Sequence, residues 1–107
     1  MQINILAEKL GWKLLTECDG GDRTAEGCYC GDLLSWVMGR AKADGAWITI
    51  MSNINIVAVA SLADVACIIL AEGVTLDSTV TETATAKGIN ILTSDLPAYE
   101  TAMLLKI

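Results

Sequence analysis

The sequence predicts an α/β fold, a small layered domain with a largely parallel sheet of about four to five strands flanked by helices. Three apolar runs carry this reading: Trp47-Ile48-Thr49-Ile50-Met51, Ala66-Cys67-Ile68-Ile69-Leu70 and Ile89-Asn90-Ile91-Leu92. Each is closed by small or polar residues, and their starts lie about twenty residues apart, the repeat of a strand plus a crossover helix. A third observation agrees with a sheet covered on both faces: 53% of the 107 residues are hydrophobic and the mean hydropathy is +0.50. The length suits one domain, residues 1–107, burying roughly two thirds of the surface of its unfolded chain.

In chain order, Ile3, Leu6, Ala7 and Leu10 recur at helical spacing and Gly11 ends the pattern. Trp12 to Glu17 is compatible with a short strand, followed by the turn Asp19-Gly20-Gly21-Asp22. Cys28-Tyr29-Cys30 reads as a second short strand. Asp32 stands where it would cap a helix from Leu33 to Lys42, with Leu33, Leu34, Val37, Met38 and Ala41 as its buried stripe. After the first core strand, Ser52-Asn53-Ile54-Asn55 offers capping chemistry for a helix over roughly 54–62. That helix is so apolar, through Ile54, Ile56, Val57, Val59 and Ala60, that burial under the chain or against a partner is expected. Asp77 or Ser78 opens a Thr- and Ala-rich helix ending at Lys87-Gly88, and a terminal helix starts near Pro97, with Tyr99, Ala102 and Met103 expected to face inward.

Composition excludes several functions. Thirteen acidic against seven basic residues give a net charge of -6, which opposes nucleic acid and anionic membrane surfaces alike. The apolar stretch from Ile54 to Ala71 contains Asn55, Ser61 and Asp64, so it reads as a buried helix and strand rather than a membrane span. No signal-peptide pattern opens the chain, making the cytoplasm the expected compartment. The chain has no His, which removes Ser-His-Asp and Cys-His catalysis, and no P-loop motif occurs, so a non-enzyme is expected. Cys67 reads as a small hydrophobe inside a strand. Cys18, Cys28 and Cys30 lack the spacing and the fourth ligand of a zinc site, so plain thiols are favoured over a metal, and no cofactor is expected.

In a parallel sheet, ligands gather beyond the carboxyl ends of the strands. That edge should carry Ser52, Asn53 and Asn55 from one strand, Glu72 and Gly73 from the next, and Thr93, Ser94 and Asp95 from the third. Such residues are also the usual helix caps, and Glu72 with Asp95 would repel a bare phosphate unless a cation met them.

The run LADVACIILAEGVTLDSTVTETATAKGINILTSDLPAYETAMLL resembles the DRTGG domain, and the resemblance extends from Gly31-Asp32-Leu33-Leu34 through Tyr99-Glu100-Thr101-Ala102. This small α/β module is found beside CBS domains and in phosphotransacetylase-type proteins, and it is similar to the N-terminal domain of HPr kinase. Where the family tends to read Gly-Asp-Arg this chain has Ser52-Asn53-Ile54-Asn55, and Ala71-Glu72-Gly73 stands for Thr-Gly-Gly. The Asp22-Arg23-Thr24 triplet falls too early to be that motif. The resemblance implies an HPr kinase N-terminal domain-like fold and a regulatory or ligand-sensing homodimer, with an adenine nucleotide as candidate ligand. Stand-alone forms resemble proteins encoded near iron-only hydrogenases and redox-linked kinases, which implies a redox or kinase partner protein. The alternative is an accessory subunit of a redox complex with no ligand of its own, using the helix over 54–62 or the Trp36 surface.

Overall fold

The structure, a computed structural model, describes residues 1–16 and 19–105. Its elements run α1 (Ile3–Leu10), β1 (Lys13–Leu14), a 3-10 turn (Asp19–Asp22), β2 (Cys28–Cys30), α2 (Leu34–Arg40), β3 (Ala46–Thr49), α3 (Asn55–Ala63), β4 (Cys67–Leu70), α4 (Ser78–Ala86), β5 (Ile91–Thr93) and α5 (Ala98–Leu105). The five strands form one sheet in the order β1-β5-β4-β3-β2. β2, β3, β4 and β5 are parallel, and β1 closes one edge antiparallel to β5. The predicted α/β fold with a largely parallel sheet is the one adopted. Glu17 and Cys18 lie outside the described residues. Among the described residues no helix is long and apolar enough to cross a membrane.

Alternation along the strands divides the interior in two, because successive side chains point to opposite faces. Ala46 and Ile48 of β3, Cys67 and Ile69 of β4 and Leu92 of β5 meet Ile3, Leu6 and Ala7 of α1 and Leu105 of α5. On the other face Trp47, Ile68, Leu70 and Ile91 meet Val37 of α2, Ile56, Val57 and Ala60 of α3, and Val80 and Ala84 of α4. Every residue of β3 and β4 is therefore buried, which explains why those runs are almost wholly apolar instead of alternating, with Thr49 the polar exception. Ile68, Ile69 and Leu70 are completely enclosed, each worth about 1.5–3 kcal/mol of burial.

Three local expectations are corrected. Asp32 does not cap α2; Leu33 holds that position without a side-chain bond, and Asp32 Oδ1 instead accepts from Thr49 Oγ1 (2.7 Å) and the Ile50 amide (3.0 Å). A partner across the sheet outcompetes the local cap, because one carboxylate oxygen there closes two donors at the end of β3. In α2 the stripe narrows to Val37, flanked by half-buried Leu34 and Ala41, while Leu33 and Met38 are exposed. The helix is only two turns long and docks by one turn. In α5 Thr101 and Leu105 are buried and Ala102 packs half-buried against the core as expected, whereas Tyr99 and Met103 face outward. Thr101 points in because a polar ring awaits it: the Leu96 amide donates to Ser94 Oγ (3.2 Å) and Thr101 Oγ1 donates to the Leu96 carbonyl (3.2 Å). Since Thr101 has one proton, Ser94 must donate across the 2.9 Å contact between the two hydroxyls. In α3, Ile54 and Leu62 stay exposed while Ile56, Val57, Val59 and Ala60 are buried.

Polar pins fix the strands along their length. Asn90, 2% exposed, donates through Nδ2 to the carbonyls of Gly20 (2.8 Å) and Ala66 (3.1 Å), and buried Thr16 accepts from the Ile91 amide (3.1 Å). At the amino edge Arg23 gathers Asp44 Oδ1 (2.8 Å), Asp64 Oδ1 (3.0 Å) and the Asp64 carbonyl (2.6 Å). Burial opposes the Arg23 charge, but its hydrogen bonds to Asp44 and Asp64 and their negative charges outweigh that and raise its pKa.

Asn90→Ala leaves one buried and one part-buried carbonyl without these donors and is expected to destabilise the fold by about 1–3 kcal/mol. Urea unfolding reads this as a lower midpoint at unchanged slope. A loss below about 0.5 kcal/mol, the size of an ordinary surface change, counts against Asn90 as a pin.

Candidate functional site

Because β2 through β5 are parallel, their carboxyl ends open on one edge, and all eight sequence-selected residues lie there. β3, β4 and β5 lie side by side in the sheet, and hydrogen bonding sorts these residues into two groups. Ser52, Asn53 and Asn55 follow β3, whereas Glu72, Gly73, Thr93, Ser94 and Asp95 follow the adjacent pair β4 and β5.

The second group is stitched together past the ends of the strands. The Ser94 amide donates to the Leu70 carbonyl (2.8 Å), the Gly73 amide to the Ser94 carbonyl (2.9 Å) and the Glu72 amide to the Leu96 carbonyl (2.8 Å). To make this turn, Glu72 and Gly73 both adopt left-handed backbone, φ 62° and 66°. Gly73 is favoured twice over, by its left-handed φ and because a Cβ there would stand 3.2 Å from Asp95 Oδ1, a tight approach. Glu72 has no such excuse: a non-glycine residue with positive φ is strained, and its exposed side chain makes no hydrogen bond or ion pair among the described residues.

A cavity of about 260 Å³ opens beside this turn, lined by Lys13, Gly73, Thr75, Thr81, Thr93 and Asp95 among others. A second, of about 400 Å³, shares Lys13, Thr93 and Asp95 and continues past Trp12 and Leu96. Lys13 pairs directly with Thr93 across the antiparallel β1–β5 ladder, so it stands at the carboxyl edge although it belongs to the first strand. It supplies the cation that a phosphate would need beside Asp95. The mixture of one amine, one carboxylate, threonine hydroxyls and apolar walls is the chemistry of a small polar ligand site.

The residues named from sequence are not equivalent in this geometry. Ser94 is buried, with its hydroxyl committed to Thr101 and Leu96, so it frames the edge rather than facing it. Asn53 Oδ1 accepts from the Asn55 amide (2.9 Å) and shapes the entry of α3. Ser52, Asn55, Glu72 and Asp95 are exposed, and Thr93 is half-buried. Lys13 was not recognised from sequence, and Asp32 was read only as a helix cap. Lys13 is a lone lysine in a two-residue strand whose partner is eighty residues later, and only the pairing of first strand with last reveals it.

Cys28 and Cys30 lie on one face of β2 with their sulfurs 3.9 Å apart, and no group of three or more His, Cys, Asp or Glu side chains able to hold a metal exists among the described residues.

The turn generates a paired expectation. Glu72→Gly removes left-handed strain and should stabilise the unliganded protein by roughly 0.5–1 kcal/mol. Gly73→Ala should cost more than about 1 kcal/mol, from strain and from the Asp95 contact. Thermal unfolding of both variants checks the signs, and stabilisation by Gly73→Ala is the outcome that removes the turn from the account.

A family model, the DRTGG domain, matches residues 6–106. No curated protein matches. Among solved structures the chain is similar to the CBS and DRTGG domains of the regulatory region of Clostridium perfringens pyrophosphatase, complexed with the activator diadenosine tetraphosphate. The TM-score is 0.79 at 12% identity, over 97% of this chain and 45% of that one, so this chain spans less than half of that length and the likeness is one of fold. With nearly its whole length matched, the chain belongs to the DRTGG domain family.

Proposed function

We infer that residues 1–107 act as a single non-catalytic regulatory module that senses a small phosphorylated ligand, an adenine nucleotide, at the carboxyl edge of the sheet. The observation that carries this reading is the meeting of Lys13 with Thr93 and Asp95 around the edge cavities. Lys13 attracts phosphate, the threonine hydroxyls offer neutral hydrogen bonds, and Asp95 is suited to a ligand donor such as a ribose hydroxyl or exocyclic amine. The amino end of α3 opens on the same edge and adds partial positive charge near Asn53 and Asn55. The fold neighbour's occupation by diadenosine tetraphosphate within a regulatory region supports the ligand class. Strain held at Glu72 without a side-chain partner among the described residues supports a role for that turn beyond folding.

Thermal shift with a panel of adenine mono-, di- and triphosphates and diadenosine polyphosphates tests the reading. At a hundredfold excess over Kd a ligand stabilises by about 2.7 kcal/mol, which raises Tm by several degrees. Lys13→Glu should abolish the shift while leaving the unliganded Tm nearly unchanged, since Lys13 is exposed. Silence from every nucleotide, with the Asn53→Ala, Glu72→Ala, Asp95→Ala triple variant behaving as wild type, overturns it.

A second reading, an interaction module, is favoured by the outer surface of α2 and α3. There Leu33, Trp36 and Leu62 are 58%, 52% and 71% exposed, and the Arg40 guanidinium stacks 3.8 Å above the Trp36 ring. The occupant we assign is a second copy of this chain, giving the homodimer. Sedimentation should find a dimer in the wild type that Trp36→Glu weakens by at least about tenfold, the effect of losing a buried aromatic anchor. A wild type that is monomeric at all concentrations removes this reading and leaves the ligand site untouched.

A further inference from the structure

We propose that Cys28 and Cys30 form a reversible thiol–disulfide site on the edge strand β2, oxidised by exchange with a low-molecular-weight disulfide. Alternate residues of a strand share a face. Here that rule brings two exposed thiols to 3.9 Å, near van der Waals contact. Two steps along an extended strand separate their Cα atoms by about 6.6 Å, at the upper end of the range a disulfide spans. A small contraction of β2 therefore completes the bond. The strand is free to contract, because it has only β3 as a neighbour. It also lies between Gly27, at φ 78°, and Gly31.

The other described cysteine is excluded by place. Cys28 registers with Ala46 and Ala46 with Cys67, so Cys67 lies two strands away, about 9–10 Å and beyond reach of a bridge. Cys67 is fully buried, and burial pushes its thiol up to about 12. A closed zinc site is excluded as well, since two thiols supply half the ligands it needs and no third His, Cys, Asp or Glu side chain joins them among the described residues.

The exchange balances as follows. Burial, and then the neighbouring Cys30, push the Cys28 thiol up to about 12, and atoms and electrons balance the same way whichever sulfur attacks first; with Cys30 leading, two displacements close the bridge. The Cys30 sulfur, having given its proton to water, attacks RSSR, forms a mixed disulfide and releases RS⁻. Cys28 then loses its proton to water as its sulfur displaces the second RS⁻. Two protein thiols and one RSSR become one protein disulfide and two RSH. The contraction draws on the β2–β3 boundary, where the Gly31 carbonyl accepts from Trp47 Nε1 (2.9 Å) and the Gly31 amide donates to the Ile48 carbonyl (3.1 Å).

The test titrates the full chain with oxidised glutathione, followed by intact mass and peptide mapping. Wild type should lose the mass of two hydrogen atoms without retaining an adduct, with the bridge mapped to Cys28–Cys30. Cys28→Ser should instead keep a glutathione adduct on Cys30. Amide exchange at Gly31 should quicken by about tenfold or more on oxidation and recover on reduction, the signature of a locally opened strand. A stable adduct on wild type, a bridge to Cys18 or inertness of both thiols overturns the proposal. Nucleotide binding is not involved in any of these readouts, so they stand whether or not the ligand reading does.

Discussion

Enclosure of the central strands on both faces is the constraint on which everything else rests. β3 and β4 present apolar side chains to both layers, and their burial supplies the main drive to fold. The same property leaves register underdetermined. Where one face is polar, a slip of one residue exposes apolar groups and is rejected; where both faces are apolar, the slip only exchanges one core for the other. Register must therefore come from polar groups that have one correct partner. Asn90 between Gly20 and Ala66, Thr16 at the Ile91 amide, and Asp32 at Thr49 and Ile50 serve that purpose, each joining segments that the apolar pattern cannot align.

This explains what was legible in the sequence. The three aliphatic runs announce their strands because length, spacing and bounding polar residues are local signals. The carboxyl-edge residues follow, since parallel direction puts all strand exits on one side. Asp32 was misread because a carboxylate ahead of an apolar stripe has the local form of a helix cap, and its actual partners lie seventeen and eighteen residues on. Tyr99 and Met103 were misread because apolar character was taken as a pointer inward, whereas the socket above β5 is polar and takes Thr101. Lys13 was invisible because nothing near it in sequence says that the first strand pairs with the last.

The two edges of the sheet carry unlike chemistry. At the amino edge Arg23 binds two carboxylates and a carbonyl, and the cluster is internally satisfied. At the carboxyl edge Lys13 makes no ion pair among the described residues, and Glu72 and Asp95 also lack one. In a protein of net charge -6, an amine that shares its cavities with Asp95 and has no ion pair among the described residues supports the ligand reading proposed for that edge.

Backbone strain sharpens that contrast. Asp44, Asp64 and Glu72 are the non-glycine residues with positive φ among the described residues. For Asp44 and Asp64 the strained backbone delivers a carboxylate to Arg23, and those hydrogen bonds offset its cost. Glu72 adopts the same conformation with no side-chain bond among the described residues, next to a glycine whose missing Cβ lets the turn close on Asp95. Strain with an internal partner belongs to the scaffold. Strain without one among the described residues, at the edge where four parallel strands end and the one lysine of β1 stands, supports the ligand reading proposed for that edge.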